Sequence, residues 1–425
     1  MVTRFAEGRA DLVSRWTSLG TLTSDAVLYG LAALFAVGLG WTSRQPAQWH
    51  WGYLAFAPYA GAALIAVGLS WRHLRRETLT RLALLAVVVL GAVVLPLILE
   101  ARWRQLDDHP GLAQPEVGVI ERAGRYLYEG QDPYKTYERN GHLVNAVPGL
   151  PAFESFFPYF PLMGVFGLPS AETHLGHGLT DARIVMSLMT LIVSGVGIGL
   201  LRATRRQKIR VIQILLALPT GALFLATGGD DMPILALSLL GVAALQRRNS
   251  VLAGVSLGVA AAMKLTAWPL ALGALLVVRR GDERRAWRTT ALIILAIVAG
   301  TVLPFAVRAP VAFMSNVFAF PLGLTKVVSP AASALPGHLL TTLWSPLGHV
   351  LAPLALVVFG YYGVLYARRH WPLSLSQLLG LLAVLFTVLI CAASATRVGY
   401  LIYPLNFALW SRVTQVQPPR ELELV

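Results

Sequence analysis

The chain has 425 residues, of which 56% are hydrophobic and only 13% charged, and it carries a net charge of +14. A soluble chain of this size would be about a quarter charged, so the composition excludes an ordinary soluble domain and points to the membrane. Nucleic acid is excluded as the reason for the positive charge, because the arginines cluster between apolar runs, as cytoplasmic loops do under the positive-inside rule.

In chain order, Arg4, Glu7, Arg9, Asp11 and Arg15 scatter charge where a cleavable signal would need its apolar region, so none is expected. Runs 24–42 and 52–71 form a first hairpin, joined by the aromatic "RQPAQWHW". "WRHLRRET" lies inside, and 80–99 crosses outward. These three helices make up 24–99. Residues 100–181 are a long outer loop. The central helices, 183–307, begin with the run 183–201, which returns to the basic "RATRRQKIR". Residues 211–228 then go out and 232–245 come back, turning at "GGDD". Two short runs, 251–263 and 267–278, flank Lys264. Basic clusters on both sides suggest a hairpin with Lys264 at its apex; the alternative is one tilted helix. Residues 288–307 go out, 308–347 form a second outer loop, and 348–411 hold the last three helices. A cytoplasmic tail, 412–425, ends a single integral membrane domain. The expectation is an all-α polytopic membrane protein of about twelve transmembrane helices, since each run meets the apolar-length criterion or approaches it and none alternates like a barrel strand.

The outer loop 100–181 is far longer than an ordinary connection and too aromatic to be disordered. Its segment "QPEVGVIERAGRYLYEGQDPY" holds four carboxylates and two arginines. Residues 116–129 can form a helix with Pro115 at its first position. Val117, Ile120, Gly124, Leu127 and Tyr128 would share one face, and Glu121 and Arg125 would pair on the other. Glu116 falls in the first turn, where the helix dipole favours an ionised carboxylate. Asp132 before Pro133 suits an Asx turn. "FESFFPYFPLMGVFGLP" suits a helix lying along the outer interface.

A carboxylate followed about fifteen residues later by "GQDPY" and then "FPYFPL" resembles glycosyltransferase family 87, polytopic enzymes of the GT-C type. The block "GGDDMPILALSLLGVAALQRRNSVLAGVSLGVAAAMKLTAWPLAL", then "FPLGLTKVVSPAASALPG" and "ATRVGYLIYPLNFALW", is similar to the family's later blocks, and the resemblance covers most of 80–411. It implies a long first extracytoplasmic catalytic loop in the cell membrane. It also implies transfer of a sugar, typically mannose, from a polyprenyl-phosphate donor to a glycolipid or glycan acceptor, with inversion. The implied catalytic carboxylate, usually Asp, falls at Glu116 here. Asp107 and Asp108 in "ARWRQLDDHPG" are the rivals.

Such a transfer needs one carboxylate to take the acceptor's proton and cations to hold the departing phosphate. Lys264 inside an apolar segment and Arg397 on the outer side are the main candidates for phosphate contact; Lys326, His338 and Arg308 follow. Asp230 and Asp231 either cap the next helix or serve the site. Tyr159 is either an interfacial anchor or a sugar platform. With one cysteine, Cys391, the chain has no intrachain disulfide and no zinc or iron–sulfur ligand set; neither metal nor cofactor is expected, the pair Asp230 and Asp231 being a weak signal for a divalent cation. The rival class is a transporter or lipid flippase built on the same intramembrane ionisable groups.

Overall fold

The computed structural model describes residues 21–71, 77–107, 110–172, 178–279, 284–331, 333–393 and 395–415. Its helices in chain order are α1 (Thr21–Thr42), α2 (Pro46–Ser70), α3 (Glu77–Leu106), α4 (Pro115–Tyr128), α5 (Pro161–Ala171), α6 (Ala182–Leu200), α7 (Arg205–Ala217) and α8 (Pro219–Thr227). There follow α9 (Asp231–Gln246), α10 (Ser250–Ala261), α11 (Trp268–Arg279), α12 (Arg284–Arg308), α13 (Pro310–Ala319), α14 (Pro336–Leu343), α15 (Gly348–Arg369), α16 (Leu375–Ala392) and α17 (Ile402–Val413). One small hairpin, β1 (Tyr137–Arg139) with β2 (His142–Val144), stands between α4 and α5.

Among the described residues, seven helices are long and apolar enough to cross a membrane; α7 and α8, bent by 43°, make an eighth if they form one span. The remaining runs of the expected twelve are shorter. α9 has 16 residues, while α10, α11 and α17 have 12 each. At ~1.5 Å per residue, twelve residues do not cross a ~30 Å hydrocarbon layer.

The chain forms two compact units, residues 1–113 with 212–227, and residues 114–211 with 228–425. In the first, α1 and α2 lie so close that a Cβ on Gly52 would sit 2.5 Å from the Ala36 carbonyl oxygen. A π-helical turn, Leu90–Val94, interrupts α3, and the Trp51 indole donates to the Ala92 carbonyl at 2.8 Å. Asp25 and Arg81, both fully buried, form a two-bonded ion pair at 2.6 and 3.1 Å, and Gln213 donates to Asp25 at 3.0 Å. A buried charge is tolerated only with such partners.

In the second unit α9 and α10 are antiparallel, with Gly241 against Leu257. α10 and α12 run parallel, since Gly254 meets Ile293 and Gly258 meets Ile294 and Ile297. α12 starts only a few residues after α11 ends, so α11 must return to the level where α10 began. Lys264, with extended backbone ahead of a 3-10 turn Leu265–Ala267, is therefore the apex of a hairpin. This matches the first of the two sequence alternatives.

The expected interfacial helix in 153–169 is not a helix along its length. Pro158 and Pro161 break it into a 3-10 turn (Ala152–Ser155), an extended stretch and the 3-10-to-α segment α5. Phe156, Phe157, Tyr159, Phe160 and Met163 are buried, so the segment is an internal spine of the unit. Proline supplies no N–H to a helix interior and clashes with the preceding turn, which is why the run is broken.

Candidate functional site

α4 carries the first acidic side chain of the site. Pro115 opens it, and Val117, Val119, Ile120, Ala123 and Gly124 face inward. Tyr128, expected on that face, is 59% exposed instead and donates to Glu172 at 2.9 Å. The helix is held by a glycine contact with α5: a Cβ on Gly124 would meet the Gly167 carbonyl carbon at 2.1 Å. Glu121 is structural, since its carboxylate accepts from the Ala182 N–H at 3.2 Å. Asp181 caps α6 and holds the buried Arg183 at 2.8 Å. Asp132 makes the expected Asx turn, accepting from the Tyr134 N–H at 2.8 Å.

Gly228 explains the glycines of "GGDD". Its φ of +100 is a backbone state that favours glycine, and a Cβ there would lie 2.2 Å from Val117. The turn can thus press against α4 beside Glu116. The antiparallel α9/α10 pair then brings Lys264 back to the start of α9. The Lys264 ammonium reaches Asp230 at 2.6 Å and Asp231 at 2.5 Å. Tyr403 of α17 donates to Asp231 at 2.7 Å and shares a 2.8 Å bond with Thr266. The Tyr159 and Tyr400 rings lie 5.5 and 5.8 Å from the ammonium, within cation–π reach.

Arg397, in the extended residue ahead of the turn Val398–Leu401, pairs with Glu116 at 2.7 Å. Backbone bonds between Thr396 and Ala331 (2.9 Å) and between Ser333 and Thr396 (3.0 Å) tie this approach to the segment that joins α13 to α14. Burial works against the guanidinium, but Glu116 together with Tyr400, Tyr159 and Asp230 outweighs it, so Arg397 stands above the usual arginine pKa. The second oxygen of Glu116, Oε2, is buried and has no hydrogen-bond partner among the described residues.

These groups line one cavity of about 360 Å³. Its polar end holds Glu116, Glu154, Asp230, Lys264, Arg397 and Tyr159. The rest is apolar, with Leu356 and Phe359 from α15 and Phe386, Leu389 and Ile390 from α16. A compact polar cluster joined to an apolar groove suits a ligand with a charged head and a hydrocarbon tail.

The other predicted residues lie elsewhere. Lys326 is exposed beside Gly141, its N–H donating to Glu138 at 2.7 Å. Arg308 is exposed at the end of α12, and His338 is half-buried in α14; neither lines the cavity. Asp107 ends the helix Leu95–Asp107, but its side chain and all of Asp108 lie outside the described residues. Among the described residues, no group of three potential metal ligands is found. Sequence reasoning missed Glu154, Thr266, Tyr400 and Tyr403. The only signal for Glu154 was a lone charge inside the aromatic run "FESFFPYF".

No curated protein and no solved structure matches the chain. The model of glycosyltransferase family 87 matches residues 157–395, more than half of the chain. Asp230, Asp231 and Lys264 fall inside that range, Glu116 and Glu154 precede it, and Arg397 follows it directly. With a polytopic helical fold and a cavity that pairs charged groups with an apolar groove, the chain belongs to glycosyltransferase family 87 and is a membrane glycosyltransferase.

Proposed function

We propose that the protein moves a sugar, mannose being the family-typical choice, from a polyprenyl-phosphate donor to a hydroxyl of a glycan or glycolipid acceptor on the extracytoplasmic face of the cell membrane. The observation that carries this reading is the single cavity in which Glu116, Arg397, Lys264 and Asp230 join a groove lined by Leu356, Phe359 and Phe386. A lipid phosphate offers the matching halves.

In this reading Glu116 is the general base. Oε1 is held by Arg397, which fixes the carboxylate, and the partner-free Oε2 is the atom left to take the acceptor's proton. General-base help of this kind contributes about 10²–10⁴-fold. The acceptor oxygen attacks the anomeric carbon as the bond to the phosphate oxygen breaks. The leaving group departs as a phosphate anion and needs no proton, only cationic donors. Arg397 and Lys264 supply them. A single displacement with one base inverts the anomeric centre. Asp230, Asp231 and Tyr403 hold Lys264 in place.

The test is purified protein with a polyprenyl-phosphate-linked sugar. Release of the lipid phosphate coupled to glycoside formation is expected. Lipid flux in sealed vesicles with no turnover of the donor would overturn the reading in favour of a transporter or flippase.

A further inference from the structure

Glu154 is the one carboxylate at the polar end of the cavity with no task in the reaction as described. Its backbone is pinned on every side. Its carbonyl accepts from the Arg122 guanidinium, and its N–H donates to the Pro151 carbonyl at 3.0 Å. The Ser155 hydroxyl next to it accepts from the Val147 N–H at 3.1 Å, and the Phe157 N–H donates to Asn316 at 2.7 Å. Phe156 stacks on Phe320 with ring centroids 4.5 Å apart. Yet the Glu154 carboxylate itself makes no hydrogen bond or ion pair with any described residue, and it borders the same cavity as Glu116. A charge is thus positioned by its framework and left unused.

The two carboxylates are not equivalent. Glu116 is tied to Arg397, the cation assigned to the donor phosphate. Glu154 has both oxygens available, and ionised carboxylate oxygens are acceptors only. A group that can only accept, held at a fixed point beside the reacting site, suits a neighbour that donates: a hydroxyl-rich sugar. The donor's phosphate, itself anionic, would be repelled.

We propose that Glu154 is the acceptor-binding residue of the cavity, accepting hydrogen bonds from hydroxyls of an acceptor glycoside beside the one that reacts. This rests on the proposed transferase reading and extends it by dividing the polar end into a donor side, Arg397 with Lys264, and an acceptor side, Glu154, with the base Glu116 between them. Burial, with Glu116 adding to it and Arg122 opposing, holds Glu154 above the usual glutamate pKa. The charged groups facing it are Arg122 and Glu116, both from α4. Only the ionised form accepts with both oxygens. Acceptor binding is therefore full above that raised pKa and weakens as pH falls through it.

The experiment uses the full-length protein, a polyprenyl-phosphate mannose donor and a panel of octyl glycosides as acceptors, with donor binding measured separately. Glu154→Gln should raise the acceptor KM about tenfold or more, the size of a hydrogen bond to a charged group. It should leave donor binding unchanged and remove the acid-side weakening of acceptor binding. Glu154→Asp should keep that pH dependence while binding more weakly. An unchanged acceptor KM and an unchanged acid limb in Glu154→Gln would overturn the assignment. A fall in kcat at constant KM would overturn it too, as would failure of the wild type to use any glycoside while it still releases the lipid phosphate. A wild type that neither binds nor cleaves the donor would instead defeat the transferase reading itself.

Discussion

The ion pair of Glu116 and Arg397 permits a prediction with a magnitude. The 2.7 Å contact joins side chains that are 17% and 29% exposed, so it is partly screened. Charge-assisted hydrogen bonds contribute about 1.5–3 kcal/mol, and partial exposure places this one in the lower half of that range. Glu116→Gln keeps the shape and loses the basicity. Its kcat should fall about 10²-fold or more, with donor binding not weakened. Arg397→Ala removes both the anchor of the base and a donor for the phosphate, so it should lower kcat and weaken donor binding together. At saturating donor the double variant should lose less than the product of the two single losses, because the part of the Arg397 effect that acts through Glu116 is already gone. The assay is transfer from a polyprenyl-phosphate sugar in detergent, with donor binding measured beside it. If the two losses multiply in the double variant, the side chains act independently and the anchored-base argument is refuted. Glu116→Asp, which keeps the charge, should retain more activity than Glu116→Gln.

Lys264→Ala should impair turnover far more than Arg368→Ala, since Lys264 pairs with both Asp230 and Asp231 whereas Arg368 is exposed at the end of α15; wild-type rates in Lys264→Ala would remove the cluster from the site. Gly124→Ala should destabilise by roughly 1–3 kcal/mol or more, because the new methyl meets backbone that cannot yield; thermal unfolding in detergent checks it, and an unshifted Tm would show that α4 is not held by that contact. Cysteines placed at Ala146 and Val328, both exposed, in a Cys391→Ala background should react with an impermeant thiol reagent on intact cells; protection of both sites until permeabilisation would reverse the proposed sidedness.

How much of this was legible in the sequence depended on the range of the interactions. The membrane class, the helical runs and the break at Lys264 follow from local apolar length and basic flanks. So does α4, with Pro115 at its start. The face of α4 was legible except at Tyr128, where the polar tip of an amphipathic ring found Glu172 outside the face. The burial of 153–169 was not legible, because a short aromatic run broken by prolines looks the same whether it meets lipid or protein. The meeting of Lys264 with Asp230 and Asp231 needs the antiparallel return of α9 and α10, a tertiary fact. Glu116 and Arg397 come from opposite ends of the second unit's sequence, and nothing local links them. Glu154 escaped notice because its value lies in a carboxylate left without a partner, and the lack of a partner cannot be seen in sequence.

A largely apolar cavity raises the question of what discriminates a lipid donor. A polyprenyl tail leaves a bilayer that is as apolar as the groove. Its burial therefore yields little of the ~25 cal/mol/Å² that burial from water would give. On the proposed reading Phe359, Phe386 and Leu389 would admit the tail, and the head group would decide. There Glu116, Glu154 and Asp230 face Lys264 and Arg397, a formal excess of negative charge. An incoming phosphate adds to that excess, so it binds only by competing with a carboxylate for a cation. Lys264 is held by two carboxylates at 2.6 and 2.5 Å and is 14% exposed. Arg397 is held by one at 2.7 Å and is 29% exposed. Arg397 is the cation more readily shared, since a single contact holds it and its guanidinium has further N–H groups to offer a phosphate. On the proposed mechanism, Arg397 then touches the base and the donor at once. Glu116 and the phosphate then share one cation, and for that reason neutralising Glu116 should leave donor binding no weaker than in the wild type.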